Sequence, residues 1–371
     1  MRTRLTHRLP ALAALCTLVG LIGVVSPAAA QDDVAWSLAE FMPTRLNPAL
    51  TGAYLGTARV GGIYRDQWRG FNIEPFQTPG FFIDAPIITL GKKKRAWLGI
   101  GGTLVSDQRG IAELATTYAQ LSGAVHFILE ERRQQRTVFS VGLIGGVMNR
   151  GLDLSSDRIL LEDEIGSDGT GGLGLLASPD RQLMTSASGI DVGLGVSYAR
   201  KLSDEQNFRV GLTALQLTVP DLSVAPGEDY RQEISINAQA QYRQLLNDAL
   251  LIEPAAFIRS TGGLTTAQLQ GTVGFILGAE SDIIVKGGLG YRAPHTVYPL
   301  VGFEWRDLKV AAAYDIFAGG LQGAIDGVGD EDVLTPPTER RFLNGFEIAA
   351  QYIIKIYKQP KVDAVILCPQ I

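Results

Sequence analysis

Apolar and polar side chains alternate along a series of long segments, and this period of two constrains the fold more than any other feature. In residues 190–198, Ile, Val, Leu, Val and Tyr occupy every second position, with Asp, Gly, Gly and Ser between them. The same pattern occurs in 234–242, 267–275 and 308–316. Successive side chains of a β-strand point to opposite faces, so each segment is predicted to be a strand with one apolar and one small or polar face.

The length of these segments favours a membrane barrel over a soluble sandwich. They run to about 10–13 residues, whereas an ordinary strand has about 5–6 and a strand that crosses a bilayer at a tilt has about 9–11. Hydrocarbon offers no partners to backbone groups, so a spanning sheet must close on itself. The alternative is a soluble β-sandwich or adhesin, which would be extracted without detergent.

The number and spacing of the segments fit a closed all-β, transmembrane antiparallel β-barrel. Bacterial single-chain barrels have an even number of strands. The three longest connections, 149–187, 218–231 and 319–341, follow segments five, seven and thirteen, so all three leave the same end of the barrel. The fourteen predicted strands lie near 57–68, 78–90, 95–106, 115–127, 137–148, 188–200, 207–217, 232–243, 249–260, 265–278, 282–292, 297–306, 308–318 and 342–354.

The first thirty residues have the order of a secretory signal peptide. Arg2, Arg4 and Arg8 precede an apolar stretch, 11–25, and three alanines at 28–30 offer a cleavage site. The predicted division of the chain is a cleaved signal peptide, 1–30, a periplasmic N-terminal segment, 31–56, an outer-membrane barrel, 57–354, and a periplasmic C-terminal tail, 355–371. The predicted location is the outer membrane.

Several functions lack support in the sequence. Lys and Arg number 33 against 38 Asp and Glu, so there is no basic excess for binding nucleic acid. No His or Cys cluster has metal spacing, and no nucleophile elbow or phosphate loop is present. Ser122 and His126 share a strand face but are separated by about 13 Å, too far for a nucleophile and its base. We therefore expect no enzyme activity, no cofactor and no metal.

Three strings in the N-terminal third point to a known family. Residues 47–52 read Asn-Pro-Ala-Leu-Thr-Gly, 64–68 read Tyr-Arg-Asp-Gln-Trp, and 82–86 read Phe-Ile-Asp-Ala-Pro. In this order they resemble the PorP/SprF family, outer-membrane proteins of the type IX secretion and gliding machinery of Bacteroidetes-type bacteria. Shorter matches extend the resemblance over roughly residues 40–371, although the tail lacks the family's basic and aromatic ending.

The matched positions are the candidate site residues, and two roles for them stay open. They either close and plug the barrel wall, or they hold a segment of a partner or cargo protein in its mouth. The set consists of Asn47, Pro48, Gly52, Tyr64, Arg65, Gln67, Trp68, Asp84, Asp107, Gly110, Tyr291, Arg292, Tyr314, Asp315, Glu347, Cys368 and Pro369.

Individual roles follow from the pattern. Asn47, Pro48 and Gly52 are expected to shape a turn that leads into the first strand. Arg65 is expected to face the lumen and to pair with Asp84 or with another lumenal acid on an adjacent strand. Trp68 is expected to anchor the barrel at the membrane interface.

The resemblance implies a non-enzymatic part of type IX secretion that supports the export or surface attachment of particular cargo proteins. The implied partners are outer-membrane and periplasmic components of that system, the C-terminal sorting domains of cargo or adhesins, and outer-membrane lipid. The alternative is a channel or transporter for small or hydrophobic solutes. Inward-facing Arg65, Arg209, Arg292 and Glu304 would fill the lumen and weigh against it.

Overall fold

Fourteen antiparallel strands close into one barrel in the computed structural model, which describes residues 35–69, 75–92, 95–110, 114–132, 135–152, 185–224, 229–278, 282–317 and 344–356. The strands are β1 (Ala58–Gln67), β2 (Phe76–Leu90), β3 (Ala96–Arg109), β4 (Leu114–Glu131), β5 (Arg136–Leu152), β6 (Thr185–Lys201), β7 (Gln206–Leu215), β8 (Ser235–Asn247), β9 (Leu250–Thr261), β10 (Leu264–Ile276), β11 (Ile283–Arg292), β12 (Thr296–Trp305), β13 (Leu308–Phe317) and β14 (Gly345–Ile354). Each strand pairs with its neighbours in sequence.

The barrel closes by pairing of the first and last strands. Ala58 lies opposite Ile354, and Gln67 lies opposite Gly345, so β1 and β14 match over their whole length. Closure leaves no free sheet edge, as a spanning sheet requires. The predicted all-β, fourteen-stranded antiparallel barrel is confirmed. In the ranges described above, no helix is long and apolar enough to cross a membrane.

The two faces of the wall differ in the way that the alternation predicts. Outward side chains are aliphatic, for example Ile190 and Leu143, which are 67% and 62% exposed. Inward side chains of β8 are amides, and Asn237, Gln239 and Gln241 are all buried. An apolar surface of this kind is suited to lipid.

The two ends of the barrel carry different connections. At one end, called the short-turn end here, the strands are joined by 91–95, 132–135, 202–205, 248–249, 277–282 and 306–307. At the other, the long-connection end, 153–184, 216–234 and 318–344 join β5 to β6, β7 to β8 and β13 to β14. Short periplasmic turns and longer outer loops are typical of outer-membrane barrels.

The wall is higher on one side. β7 ends at Leu215, and its pairing with β6 ends where Ala214 lies opposite Leu194. The part of β6 before Leu194 therefore has no β7 partner. The chain after β7 covers that edge instead: Leu217 donates its N–H to the Val192 carbonyl (2.9 Å), and Thr218 donates its hydroxyl to the Ile190 carbonyl (2.5 Å). An edge with unpaired backbone groups is thereby protected.

The N-terminal segment lies inside the barrel. The sequence placed 31–56 in the periplasm, whereas its described part fills the lumen. Trp36, Leu38, Phe41, Met42 and Leu50 join one apolar cluster with inward side chains of the wall. Burial of these large side chains removes apolar surface from water and so stabilises the segment inside the lumen rather than in the periplasm.

Candidate functional site: the N-terminal plug and its contacts

Residues 35–56, called the plug here, run through the lumen from the long-connection end to the short-turn end. They form a 3-10 turn (Ala39–Phe41), a one-turn helix α1 (Pro43–Leu46) and a second 3-10 turn (Pro48–Leu50). At its first residue the Ala35 carbonyl accepts hydrogen bonds from Arg65 and Arg292. At its end the chain passes into β1, where the Thr57 N–H binds the Ile354 carbonyl (2.8 Å).

Asn47 shapes the middle of the plug and ties it to the wall. Its Oδ1 accepts the Ala49 N–H (2.9 Å), which caps the second 3-10 turn. Its Nδ2 donates to the carbonyls of Val196 (3.0 Å) and Leu212 (3.4 Å), on β6 and β7. The predicted turn residue therefore also holds the turn against two strands.

A patch of inward glycines receives this turn, and we call it the glycine wall (Gly99, Gly142, Gly195 and Gly211). A Cβ on Gly142 would lie 2.3 Å from the Pro48 carbonyl carbon, and one on Gly195 would lie 2.2 Å from Asn47 Oδ1. Real Cβ atoms do not approach so closely, so the plug backbone fits only where the wall has no side chain.

Asp84 anchors the end of the plug. Its two oxygens accept a bidentate pair of hydrogen bonds from Arg59 Nε (2.9 Å) and Nη2 (2.7 Å). Oδ2 also accepts the N–H of Gly52 (2.7 Å), a residue with φ of +70° that glycine adopts without strain. Tyr54 donates its hydroxyl to the Asp84 carbonyl (2.7 Å). The Arg59–Asp84 ion pair is almost fully buried.

His126 belongs to the same anchor. Its Nε2 lies 2.8 Å from the Thr51 carbonyl, and its Nδ1 lies 2.8 Å from Ser140 Oγ. A carbonyl only accepts, so Nε2 carries the proton and Ser140 donates to Nδ1. The ring stacks on Trp97 at 4.5 Å. Both ring nitrogens are thus committed to contacts within the plug and the wall.

A second anchor, called the clamp here, holds the start of the plug. It consists of Arg65, Gln268, Arg292, Asp315 and Glu347, from five different strands. Glu347 accepts the N–H groups of Ser37 (2.8 Å) and Leu38 (2.9 Å), one with each oxygen. The Ser37 hydroxyl lies 2.5 Å from Asp315 Oδ1 and accepts from Arg292 Nη2 at 2.6 Å.

The described part of the connection between β7 and β8 packs into the mouth beside the plug. Leu222 is fully buried in the lumenal apolar cluster. Arg150 donates to the Leu222 carbonyl (3.1 Å) and lies 4.0 Å from the centre of the Tyr230 ring. Hydrogen bonds from Ser223 hold the pKa of Asp221 below its usual value, which favours the turn at neutral pH.

Beneath the plug, at the short-turn end, the lumen is crossed by ion pairs. Lys286 bridges Glu253 (2.5 Å) and Glu304 (2.7 Å), and Lys309 lies 3.5 Å from Glu304. Cavities of about 40, 30 and 20 Å³ lie there among the described residues, with room for about one to three water molecules each. Within the described ranges no group of three or more His, Cys, Asp or Glu residues is placed to hold a metal ion.

The structure brings together two groups of the predicted site residues. Asn47, Pro48, Gly52 and Asp84 form the plug's contact with the wall, and Arg65, Arg292, Asp315 and Glu347 are in the clamp. Of the two predicted partners for Arg65, the structure has the second: Glu347 lies opposite it on β14, with 3.2 Å between Nε and Oε1, whereas Asp84 pairs with Arg59.

The other predicted residues lie apart from both groups. Tyr291 and Tyr314 are 44% and 45% exposed on the outer surface, and Trp68 packs on Phe76 with ring centres 4.4 Å apart. The remaining members are Tyr64, whose hydroxyl lies 3.3 Å from Asp66; Gln67, half-buried at the end of β1; Asp107, which accepts from Thr78 and Arg109; Gly110, with φ of +69°; and Cys368 and Pro369, which lie outside the described residues.

Sequence reasoning missed Arg59, Ser37, Gln268 and the glycine wall. Inward glycines at every second position of β6, Gly193 and Gly195, were a signal available in the sequence. They mark a surface that another backbone approaches closely. Nothing in the sequence identified which segment approaches.

The fold and the plug define a membrane β-barrel whose lumen is filled by its own N-terminal segment. A family model described as "Type IX secretion system membrane protein PorP/SprF" matches residues 28–327. The chain belongs to this family, as its motifs predicted, and is therefore an outer-membrane β-barrel of the type IX secretion system. No curated protein sequence is significantly similar to it.

Solved barrels of other kinds overlap with the chain at low identity. The toluene transporter TbuX of Ralstonia pickettii is 11% identical, with a TM-score of 0.41, over 85% of this chain and 93% of that one. The toluene transporter TodX of Pseudomonas putida is 10% identical, with a TM-score of 0.43, over 86% and 94%. CdiB from Acinetobacter baumannii is 8% identical, with a TM-score of 0.40, over 80% and 60%. No conclusion about function follows from these overlaps.

Proposed function

We propose that the protein is a non-enzymatic component of type IX secretion that supports the export or surface attachment of particular cargo proteins. The observation that carries the proposal is membership of the PorP/SprF family over residues 28–327. Its partners would be other outer-membrane and periplasmic parts of the machinery and the sorting domains of the cargo, with outer-membrane lipid around the barrel.

The filled lumen supports attachment or export through partners rather than passage of solutes through this barrel. Arg65, Arg209, Arg292 and Glu304 point inward and are buried. The plug crosses the lumen from end to end, and the cavities described beside it, of about 20 to 40 Å³, are far smaller than the several hundred Å³ of an ordinary ligand site. A channel for small or hydrophobic solutes is therefore the weaker candidate.

Gene deletion tests the proposal. The gene is removed from a strain that also lacks its other genes of this family, and the surface and supernatant proteomes are compared with those of the same strain complemented with the wild-type gene. Loss of one or a few proteins with sorting domains would support a dedicated role in attaching cargo. Loss of all such proteins would support a general role in secretion. An unchanged proteome would contradict both and favour the channel.

A further inference from the structure

We propose that the clamp is a binding site for a short peptide turn, which residues 35–38 of the plug occupy as an internal ligand and which a segment of a cargo protein enters by displacing them. This inference rests on the proposed function, because it names how cargo would be held. The clamp lies near the long-connection end, the end that faces outward in barrels of this kind.

Most of the contacts that the clamp makes are with backbone atoms. The Ala35 carbonyl accepts from Arg65 and Arg292, and the Ser37 carbonyl accepts from Gln268 Nε2 (3.0 Å). The N–H groups of Ser37 and Leu38 donate to the two oxygens of Glu347. Residues 37 and 38 form a turn, so their adjacent N–H groups point to one carboxylate, and any peptide that adopts this turn presents the same atoms at the same spacing. The clamp therefore recognises a backbone conformation rather than one particular chain.

The side-chain contacts define the sequence that the clamp would accept. Ser37 Oγ is bound by Asp315 and Arg292, so this position requires a small hydroxyl side chain. Trp36 and Leu38, on either side, are buried in the apolar cluster. The expected ligand is therefore a turn with Ser or Thr between two large apolar residues.

The charges of the clamp compensate one another without the plug. Arg65 Nη2 lies 2.8 Å from Asp315 Oδ2, and Arg292 Nη2 lies 2.6 Å from the same oxygen. Glu347 lies 3.2 Å from Arg65, so two cations face two carboxylates. Departure of residues 35–38 would leave no unpaired buried charge, which is the costly outcome when one partner of a buried pair is lost.

The internal ligand also fits imperfectly. Trp36 is 4% exposed, yet its indole N–H has no hydrogen-bond partner among the described residues. A buried donor without an acceptor opposes binding. A peptide with Phe at this position has no such donor, so it should compete successfully with the chain's own segment. Meanwhile Asn47 and Asp84 hold the rest of the plug independently of the clamp.

A peptide-binding experiment on the full-length protein in detergent tests the inference. The probe is a fluorescent peptide with the sequence of residues 35–42 and Phe in place of Trp36, followed by fluorescence polarisation. The receptor is the double variant Ser37→Pro, Leu38→Pro, which lacks both N–H donors to Glu347 and so releases its own segment. We expect the variant to bind the peptide at least ten-fold more tightly than the wild type does.

Two further variants make the result specific. Adding Glu347→Gln to the double variant should weaken binding about ten-fold or more, because it removes a charged acceptor of two N–H groups. Adding Glu233→Gln, a surface carboxylate next to β8 and outside the clamp, should leave binding unchanged. A peptide with Ala in place of Ser37 should bind more weakly than the parent peptide.

Two results would overturn the inference: no saturable binding to the double variant while it keeps the compact barrel band on unheated SDS gels, or binding that Glu347→Gln leaves unchanged. These results are separate from the deletion experiment. Loss of surface cargo without peptide binding would contradict the peptide-binding role of the clamp and would still support the proposed function. Peptide binding with an unchanged surface proteome would support the binding role and contradict the proposed function.

Discussion

At the scale of single residues, Asp84 connects the plug to the wall. Its carboxylate faces the buried Arg59 guanidinium and also accepts a plug N–H. Removing one member of a buried ion pair strands the other charge in a medium that solvates it poorly, which typically costs about 3–5 kcal/mol. By contrast, Asp307 lies at the short-turn end and pairs with Lys355, which is 57% exposed.

We predict that Asp84→Ala lowers the free energy of unfolding by about 3–5 kcal/mol, because Arg59 loses its carboxylate and Gly52 its acceptor. Urea unfolding in lipid vesicles, followed by tryptophan fluorescence, measures the change. Asp307→Ala is the control and should cost about 1 kcal/mol or less. Equal losses in the two variants would show that the buried pair does not hold the plug.

At the scale of elements, the strands were predictable and the plug was not. A strand that faces lipid on one side and the lumen on the other must alternate, so residues 190–198 identify β6 from local sequence alone. The plug has helices of three and four residues, too short to show a period. Its burial depends on glycines from strands distant in sequence, such as Gly99 and Gly195.

Four of the five clamp residues were predictable from the sequence, and their pairing was not. The family motifs identified Arg65, Arg292, Asp315 and Glu347, which come together from four strands. Arg65 and Glu347 lie opposite each other only because the first strand pairs with the last. That register is a property of closure, and no spacing along the chain encodes it. Ser37, the group that they bind, lies outside every motif.

Because the plug backbone packs directly on the glycine wall, a side chain added to that wall should destabilise the barrel. We expect Gly142→Val to destabilise the barrel by about 1–3 kcal/mol or more, because the new side chain would overlap the backbone of Pro48 and Ala49. The midpoint temperature of the shift from compact to unfolded band on SDS gels measures the effect. Gly271→Val, on the outer surface with no atom within 4 Å of its Cβ, is the matched control. Identical midpoints for the two variants would contradict the close fit.

At the scale of the whole molecule, the outer surface predicts where lipid lies. Outward residues of β6 are aliphatic from Ile190 to Val196, and they are serines at 186 and 188. The hydrocarbon layer should therefore be centred near Leu194, with Ser186 beyond its edge. Only the first residues of β6, from Thr185 to about Ser188, would then stand in water, at the end where the clamp lies.

A pair of arginine substitutions tests this position of the barrel. Leu194→Arg should make folding into vesicles less favourable by about 2–4 kcal/mol, because it places a cation at the bilayer midplane. Ser186→Arg, on the same face of the same strand, should cost about 0–1 kcal/mol. Urea titrations of folding into vesicles measure both. A larger penalty at Ser186 would mean that the membrane lies nearer the long-connection end.

The contents of the lumen decide between a partner-binding barrel and a channel. The plug, the described part of the β7–β8 connection and the Lys286 ion pairs lie in the interior, so we expect no wide path for ions through the barrel. We predict that the wild-type protein gives no steady openings in planar bilayers, and that Gly142→Val, which forces the turn at Pro48 away from the wall, gives openings of measurable conductance. Gly271→Val should remain closed like the wild type. Steady large openings of the wild type would contradict a filled lumen and would give the transport of solutes priority over the attachment of cargo.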